Sequence, residues 1–220
     1  MINKILQGDV LARLKDIPDN YVQMVCTSPP YWALRDYGAE GQFGLEPTPE
    51  GYVEKLVEIG QELKRVLRDD GTFWLNLGDT YWGGGWRGAG LNKHSGNVQK
   101  GHQGSHCGDA MSMGKGSHSL IKPKDMVGIP WRSAFGLQAD GWYLRQDIIW
   151  NKPNPMPESV VDRCTKAHEY IFLLSKSKNY YYDSNAIKQP YKENTKPGSQ
   201  FGGKKGNSEL GMKSKLQKSE

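Results

Sequence analysis

The sequence predicts an α/β protein built on a doubly wound, mostly parallel sheet, and three neighbouring segments carry that prediction. Tyr21-Val22-Gln23-Met24-Val25-Cys26 is a short, apolar, β-branched run with the composition of a buried strand. From Pro49 onward Tyr52, Leu56, Ile59, Leu63 and Val66 recur at three- and four-residue steps, an apolar stripe along one face of a helix. Thr72 to Leu77 is a second buried-strand run. A helix crossing between two such strands makes them parallel neighbours.

The other elements follow in chain order. Lys4 to Gln7 reads as a short strand closed by Gly8-Asp9, and Val10, Leu11, Leu14 and Ile17 then keep helical spacing as far as Pro18. An aspartate in the position of Asp9 would cap that helix. The strand from Tyr21 must end at Ser28, because Pro29 and Pro30 have no N–H for a ladder and each restrains the residue before it. The resulting stiff turn projects the Ser28 hydroxyl, proline carbonyls and the flat faces of Tyr31 and Trp32. Acceptors beside an aromatic platform suit an exocyclic amino group on a planar base. Arg35 to Leu45 is a glycine-spaced loop, and Asp69-Asp70-Gly71 stops the long helix. Asn76, Gly78 and Asp79 then stand at the carboxyl end of the second strand, where a ligand crevice opens in such sheets.

Gly83 to Lys124 breaks this rhythm and reads as a mobile insertion rich in glycine, serine, histidine and lysine. No metal site is expected there: of His94, His102, His106, Cys107 and His118, only His106 and Cys107 are close in sequence. The glycines from Gly83 to Gly90 precede no helical pattern, which counts against a nucleotide loop. Regularity resumes at Pro130. Trp131, Phe135 and Leu137 make a helix packing face ending at Asp140-Gly141, and Tyr143 to Trp150 is a strand ended by the proline-rich turn Trp150-Asn151-Lys152-Pro153-Asn154-Pro155. Glu169 to Leu174 is a further buried strand with His168 as a structural residue at its start; Tyr180-Tyr181-Tyr182 reads as an edge strand, and the tail beyond Asp183 as disordered. The expected organisation is a core at 1–82, a basic insertion at 83–125, the second part of the core at 126–183 and a lysine-rich tail at 184–220.

The chain has 220 residues and a formal net charge of +5, unevenly spread. Residues 81–125 carry Arg87, Lys93, Lys100, Lys115, Lys122 and Lys124 against two aspartates, and residues 176–220 carry ten lysines against four acidic residues. Basic loops on an acidic scaffold are what a nucleic-acid phosphate backbone attracts, so Arg87, Lys93, Lys100 and Lys115 are candidate DNA contacts. No apolar run approaches the roughly 20 residues of a membrane-spanning helix, and the N-terminus lacks the layout of a signal peptide. Three scattered cysteines fit a reducing cytoplasm.

Ser28-Pro29-Pro30-Tyr31 after a hydrophobic strand resembles the catalytic motif of the amino-directed DNA methyltransferases, which act on N4 of cytosine or N6 of adenine. Ile5-Leu6-Gln7-Gly8-Asp9, Trp74-Leu75-Asn76-Leu77-Gly78-Asp79-Thr80-Tyr81 and the run from Gln146 to Lys176 resemble the same family in the same, permuted order. The resemblance implies a class I methyltransferase fold with S-adenosylmethionine as cofactor, Gly8, Asp9 and Thr27 on the cofactor side, and double-stranded DNA as partner. It implies catalysis by Ser28, Pro29, Pro30 and Tyr31, and a flipped-base pocket lined by Trp32, Trp150 and Lys152. A cognate restriction enzyme is a further implied partner.

The chemistry expected of the turn is electrostatic. Hydrogen bonds from an amino group to Ser28 Oγ and the Pro29 carbonyl would favour its pyramidal, attacking form, and a base must leave the duplex to reach them. Methylation at carbon 5 of cytosine would need a cysteine nucleophile after a proline, whereas Cys26, Cys107 and Cys164 follow Val25, His106 and Arg163. Cys26 is expected in the core. Cytosine N4 is favoured over adenine N6, because family members with serine in this position are mostly cytosine enzymes and because Trp32, Trp150 and Pro153 would shape a small pocket. RNA or a protein amide is a less favoured substrate, given the basic loops. The family's glycine-rich donor loop, Phe-x-Gly-x-Gly, has no match here, since Phe201-Gly202-Gly203-Lys204-Lys205-Gly206 lacks a preceding strand. A second chain or a further C-terminal segment is expected to supply it; the alternative is a DNA-binding remnant without activity of its own.

Overall fold

The computed structural model describes residues 3–83 and 118–189. They fall in two units, divided after Tyr181. The first unit holds α1 (Val10–Leu14), β1 (Val22–Thr27), α2 (Pro49–Val66), β2 (Leu67–Leu77), α3 (Ile129–Ala139), β3 (Tyr143–Asn151) and β4 (His168–Ser175). The strands form one sheet in the order β1-β2-β4-β3. β1 and β2 are parallel, as the intervening helix requires, while β4 runs antiparallel to both β2 and β3. The α/β class holds, and the described sheet is mixed because the link from β3 to β4 contains no crossover helix.

α2 is fixed by its ends and by its stripe. The Thr48 hydroxyl accepts the Gly51 N–H at 3.1 Å, Pro49 occupies the first turn, and Lys64 and Arg65 stand in the last turn where the helix dipole favours cations. Tyr52, Leu56, Ile59, Leu63 and Val66 are all buried, as their spacing predicts. They pack with Phe73, Leu75 and Leu77 of β2, Phe172 and Leu174 of β4, and Ile129, Leu137 and Trp142. α2 and α3 meet closely through glycines: a Cβ on Gly60 would lie 2.5 Å from Leu137 Cδ2, and one on Gly136 would lie 2.7 Å from Val53 Cγ1. α3 buries Ile129, Pro130, Ser133, Ala134 and Leu137, so Phe135, expected on the packing face, instead lies outside that stripe and is 55% exposed.

Four expectations change at the margins of the sheet. Residues 4–7 form no strand and are exposed, and α1 is only five residues long. A four-residue strand needs a partner, and among the described residues β1 pairs with β2 alone. Cys26 is exposed rather than core, and Met24 on the same face of β1 is 56% exposed. The described helices pack α1 against α2 and α2 against α3, over the face that carries Phe73, Leu75 and Leu77, which leaves Met24 and Cys26 uncovered. Residues 180–182 form no strand, although the Tyr181 N–H reaches the Asp70 carbonyl at 2.9 Å.

Part of the expected insertion is well tied. Ile121 is buried, Lys124 N–H donates to the Trp82 carbonyl and Trp82 N–H donates to Asp125, both at 2.9 Å. His118 Nδ1 accepts the N–H groups of Leu120 and Ile121, while Nε2 meets the Glu50 carboxylate at 3.2 Å. Arg87, Lys93, Lys100 and Lys115 lie outside the described residues. In the second unit, Asp183 Oδ1 accepts the N–H groups of Asn185 and Ala186, and most of the expected lysine-rich tail lies outside the described residues.

Candidate active site

The proline turn after β1 is held from behind by main-chain and aromatic contacts. Tyr52 of α2 donates its hydroxyl to the Pro30 carbonyl at 3.1 Å, and burial raises the Tyr52 pKa so that it stays a donor. Ala33 N–H donates to the Gly44 carbonyl at 2.8 Å, and Gly44 N–H donates to the Glu46 carboxylate at 3.0 Å. Gly44 has φ +97° and lies so close that a Cβ there would sit 3.2 Å from the Pro30 and Tyr31 carbonyl oxygens. The Trp32 indole donates to the Glu46 carbonyl at 2.8 Å and stacks on Trp82 with ring centroids 6.1 Å apart.

In front of the turn, the ends of four strands converge on one carboxylate. Ser28 Oγ donates to Tyr31 Oη at 3.1 Å, and Tyr31 Oη donates to Glu169 Oε2 at 2.8 Å. Asn76, near the end of β2, donates its amide to the same oxygen at 3.3 Å, and Lys152, just beyond β3, forms an ion pair with Glu169 Oε1. Gly78 makes room for the tyrosine, since a Cβ there would fall 2.6 Å from Tyr31 Cε2.

The electrostatics keep both partners in defined states. Burial, reinforced by the negative charge of Glu169, pushes the Tyr31 phenol up to about 12, so it is protonated at neutral pH. Burial also works to raise the Glu169 pKa, but hydrogen bonds from Lys152 and Tyr31, the Lys152 charge and the Asn76 amide outweigh it and hold the carboxyl below its ordinary range. The Lys166 amine is buried without a hydrogen-bond partner among the described residues, and burial lowers its pKa against the attraction of Asp79, Glu169 and Glu158. Asp79 has a mechanical role here: its Oδ1 accepts the N–H groups of Thr80, Gly128 and Ile129 at 2.9, 2.9 and 3.0 Å, tying the end of β2 to the start of α3.

The structure therefore brings together Ser28, Tyr31 and Lys152, with Pro29 and Pro30 shaping the turn between them. It does not bring Trp32 to the pocket. Trp32 is 2% exposed and belongs to the core, because its indole N–H and ring face are both used behind the turn. Trp150 pairs with Glu169 in the β3–β4 ladder and is 55% exposed, available as a flat surface beside the carboxylate. Thr27 closes β1 opposite Leu75. Asp9 caps α1 by accepting the Ala12 N–H at 3.0 Å, after Gly8 with φ +138°. No hydrogen bond or ion pair among the described residues joins Gly8 or Asp9 to the Ser28 chain. Glu169 is the residue that reading the sequence missed; the signal was a lone carboxylate opening an otherwise apolar strand. Among the described residues no cluster of three or more metal-ligating side chains occurs, and no helix is long and apolar enough to cross a membrane.

Known proteins resemble the chain in sequence and in fold. The type II methyltransferase M.SmaI of Serratia marcescens is 50% identical over 189 residues, covering 85% of this chain and 60% of that protein. M.Cfr9I of Citrobacter freundii is 48% identical over 191 residues, covering 84% of this chain and 58% of that protein. The chain thus spans about three-fifths of the length of these relatives. Among solved structures, the PvuII DNA methyltransferase (cytosine-N4-specific) matches with a TM-score of 0.53 at 19% identity, covering 80% of this chain and 50% of that one, a likeness of fold. The DNA methylase family profile matches residues 22–210, and the chain belongs to that family.

Proposed function

We propose that this chain carries the catalytic turn of an S-adenosylmethionine-dependent, site-specific DNA methyltransferase acting in the cytoplasm on the exocyclic N4 of cytosine. The observation that carries the reading is the braced turn itself. Tyr52 occupies the Pro30 carbonyl, and among the described residues no donor reaches the Pro29 carbonyl. Ser28 Oγ and the Pro29 carbonyl are then the acceptors offered to an amino group, beside the Tyr31 ring. Two accepted hydrogen bonds localise the nitrogen lone pair, and the fixed turn aligns it for attack.

S-adenosylmethionine would supply an electrophilic methyl group. The residues described fit part of it: the exposed Asp9 carboxylate at the head of α1 suits hydroxyl or amino donors at its adenosine end, and Gly8 and Thr27 are proposed as further cofactor contacts. The outer edge of β1 is open among the described residues. A glycine-rich donor loop from further chain or from a second subunit would pair there. Arg87, Lys93, Lys100 and Lys115 would contact phosphates of double-stranded DNA, giving an affinity that falls steeply with salt. A cognate restriction enzyme would be a further partner, in keeping with the type II name of the relatives.

The choice of cytosine rests on Ser28, Trp150 and Pro153, since Trp32 is a core residue and shapes no pocket. The test is product identity. Duplex DNA incubated with the protein and S-adenosylmethionine is digested to nucleosides and analysed by mass spectrometry. N4-methylcytosine is the expected product; N6-methyladenine alone would reassign the base, and an unmodified digest from protein that binds both donor and DNA would overturn the activity.

A further inference from the structure

We infer that Glu169 is a positioning residue that sets the direction of the hydrogen-bond chain ending at Ser28, so that Ser28 meets the substrate as an acceptor only. The inference rests on the proposed amino-group methylation. A serine hydroxyl can donate or accept, and only the second state serves an amino group, whose exposed atoms are hydrogens. Something must therefore choose the state.

The chain of bonds makes the choice at its far end. An ionised carboxylate can only accept, and Glu169 is held ionised by its pairing with Lys152 and by the Asn76 amide. The single phenolic proton of Tyr31 is accordingly committed to Glu169 Oε2 at 2.8 Å. Tyr31 Oη is left with lone pairs alone, and one of them takes the Ser28 hydroxyl proton at 3.1 Å. With its proton turned inward, Ser28 Oγ directs lone pairs toward the substrate side. The charge-assisted bond at Glu169 polarises the neutral bond beyond it, which biases the whole chain in one direction. The Asn76 amide orientation is consistent: a flipped amide would set its oxygen against a carboxylate already in contact with Lys152 and Tyr31.

The experiment needs no recognition sequence. Binding of the protein to a single-stranded oligodeoxycytidine is compared with binding to the same oligomer built from pyrimidin-2-one, which differs only by lacking the amino group. The wild type should prefer cytosine by about tenfold, the worth of one to two accepted hydrogen bonds. Glu169→Gln and Tyr31→Phe should each reduce that preference to about twofold or less, and Ser28→Ala combined with Glu169→Gln should lose no more than Ser28→Ala alone. A general packing defect would weaken both oligomers alike and leave the ratio intact. If Glu169→Gln unfolds by circular dichroism, Tyr31→Phe decides, since it keeps the ring and the Lys152–Glu169 pair. An unchanged ratio in Tyr31→Phe or a folded Glu169→Gln, with the ratio lost in Ser28→Ala, overturns the role of Glu169 and leaves the proposed function standing. A wild type without any preference overturns both.

Discussion

β1 and β2 run side by side in the same direction and end at the same site, yet they are held in opposite ways. β2 lies between two strands and buries Phe73, Leu75 and Leu77 on the helix side, so the sheet itself places Asn76 and Gly78. β1 has one strand neighbour among the described residues, and Met24 and Cys26 on it are exposed. A strand so lightly held is a poor anchor for the turn that follows it. The turn is anchored elsewhere, by Tyr52 on Pro30, by Gly44 against the Pro30 and Tyr31 carbonyls, and by Trp32 sunk between Glu46 and Trp82. Position at this site therefore comes from the sheet on the β2 side and from the α2 side of the core on the β1 side.

The adjacent aromatics Tyr31 and Trp32 separate the two modes of anchoring. Trp32→Ala should cost about 3–5 kcal/mol of stability, read from urea unfolding, because it empties a core site. A loss under about 1 kcal/mol would show that the turn does not depend on this anchor. Tyr31→Ala should leave more of the fold intact and weaken capture of a single-stranded base by roughly 1–3 kcal/mol, read from oligonucleotide titration.

Gly78→Ala probes the β2 side. The added methyl group meets the Tyr31 ring and should cost about 1–3 kcal/mol through displacement of that ring, visible as weakened base capture larger than the loss of stability. Tyr52→Phe removes the donor to Pro30 and should cost roughly 0.5–1.5 kcal/mol in thermal unfolding.

The smallest effect concerns acid. Glu169 has a depressed pKa in the folded chain, so its contribution to stability is present above the ordinary glutamate range and is lost as pH falls through the folded value. Unfolding measured across that window should show a slope that Glu169→Gln flattens; an identical slope in the variant would remove the Lys152–Glu169 pair from the energetics.

What the sequence disclosed follows the same division. The stripe of α2, the parallel pairing of β1 with β2 and the stop at Ser28 were all legible, because spacing and proline chemistry act locally. Glu169 was not, since its role depends on β4 inserting between β2 and β3, a pairing of residues 93 apart in sequence at Asn76 and Glu169. Trp32 was misplaced for a related reason. An aromatic beside Tyr31 looks like a second platform until the loop through Gly44 and Glu46 folds back to take its indole N–H. Cys26 and Met24 look like core in an apolar run, and only the strand order shows that β1 lies at an edge of the described sheet.

In the proposed reaction the braced turn presents Ser28 Oγ as an acceptor for an amino group in the transition state. Single-turnover methyl transfer at saturating DNA and S-adenosylmethionine, compared between wild type and Ser28→Ala with unfolding midpoints matched, tests it most directly. A barrier higher by roughly 2–4 kcal/mol is expected in the variant, with donor binding unchanged and DNA binding weakened by no more than the roughly tenfold amino-group preference. Turnover within about threefold of wild type, less than 1 kcal/mol at about 1.4 kcal/mol per tenfold in rate, would contradict it.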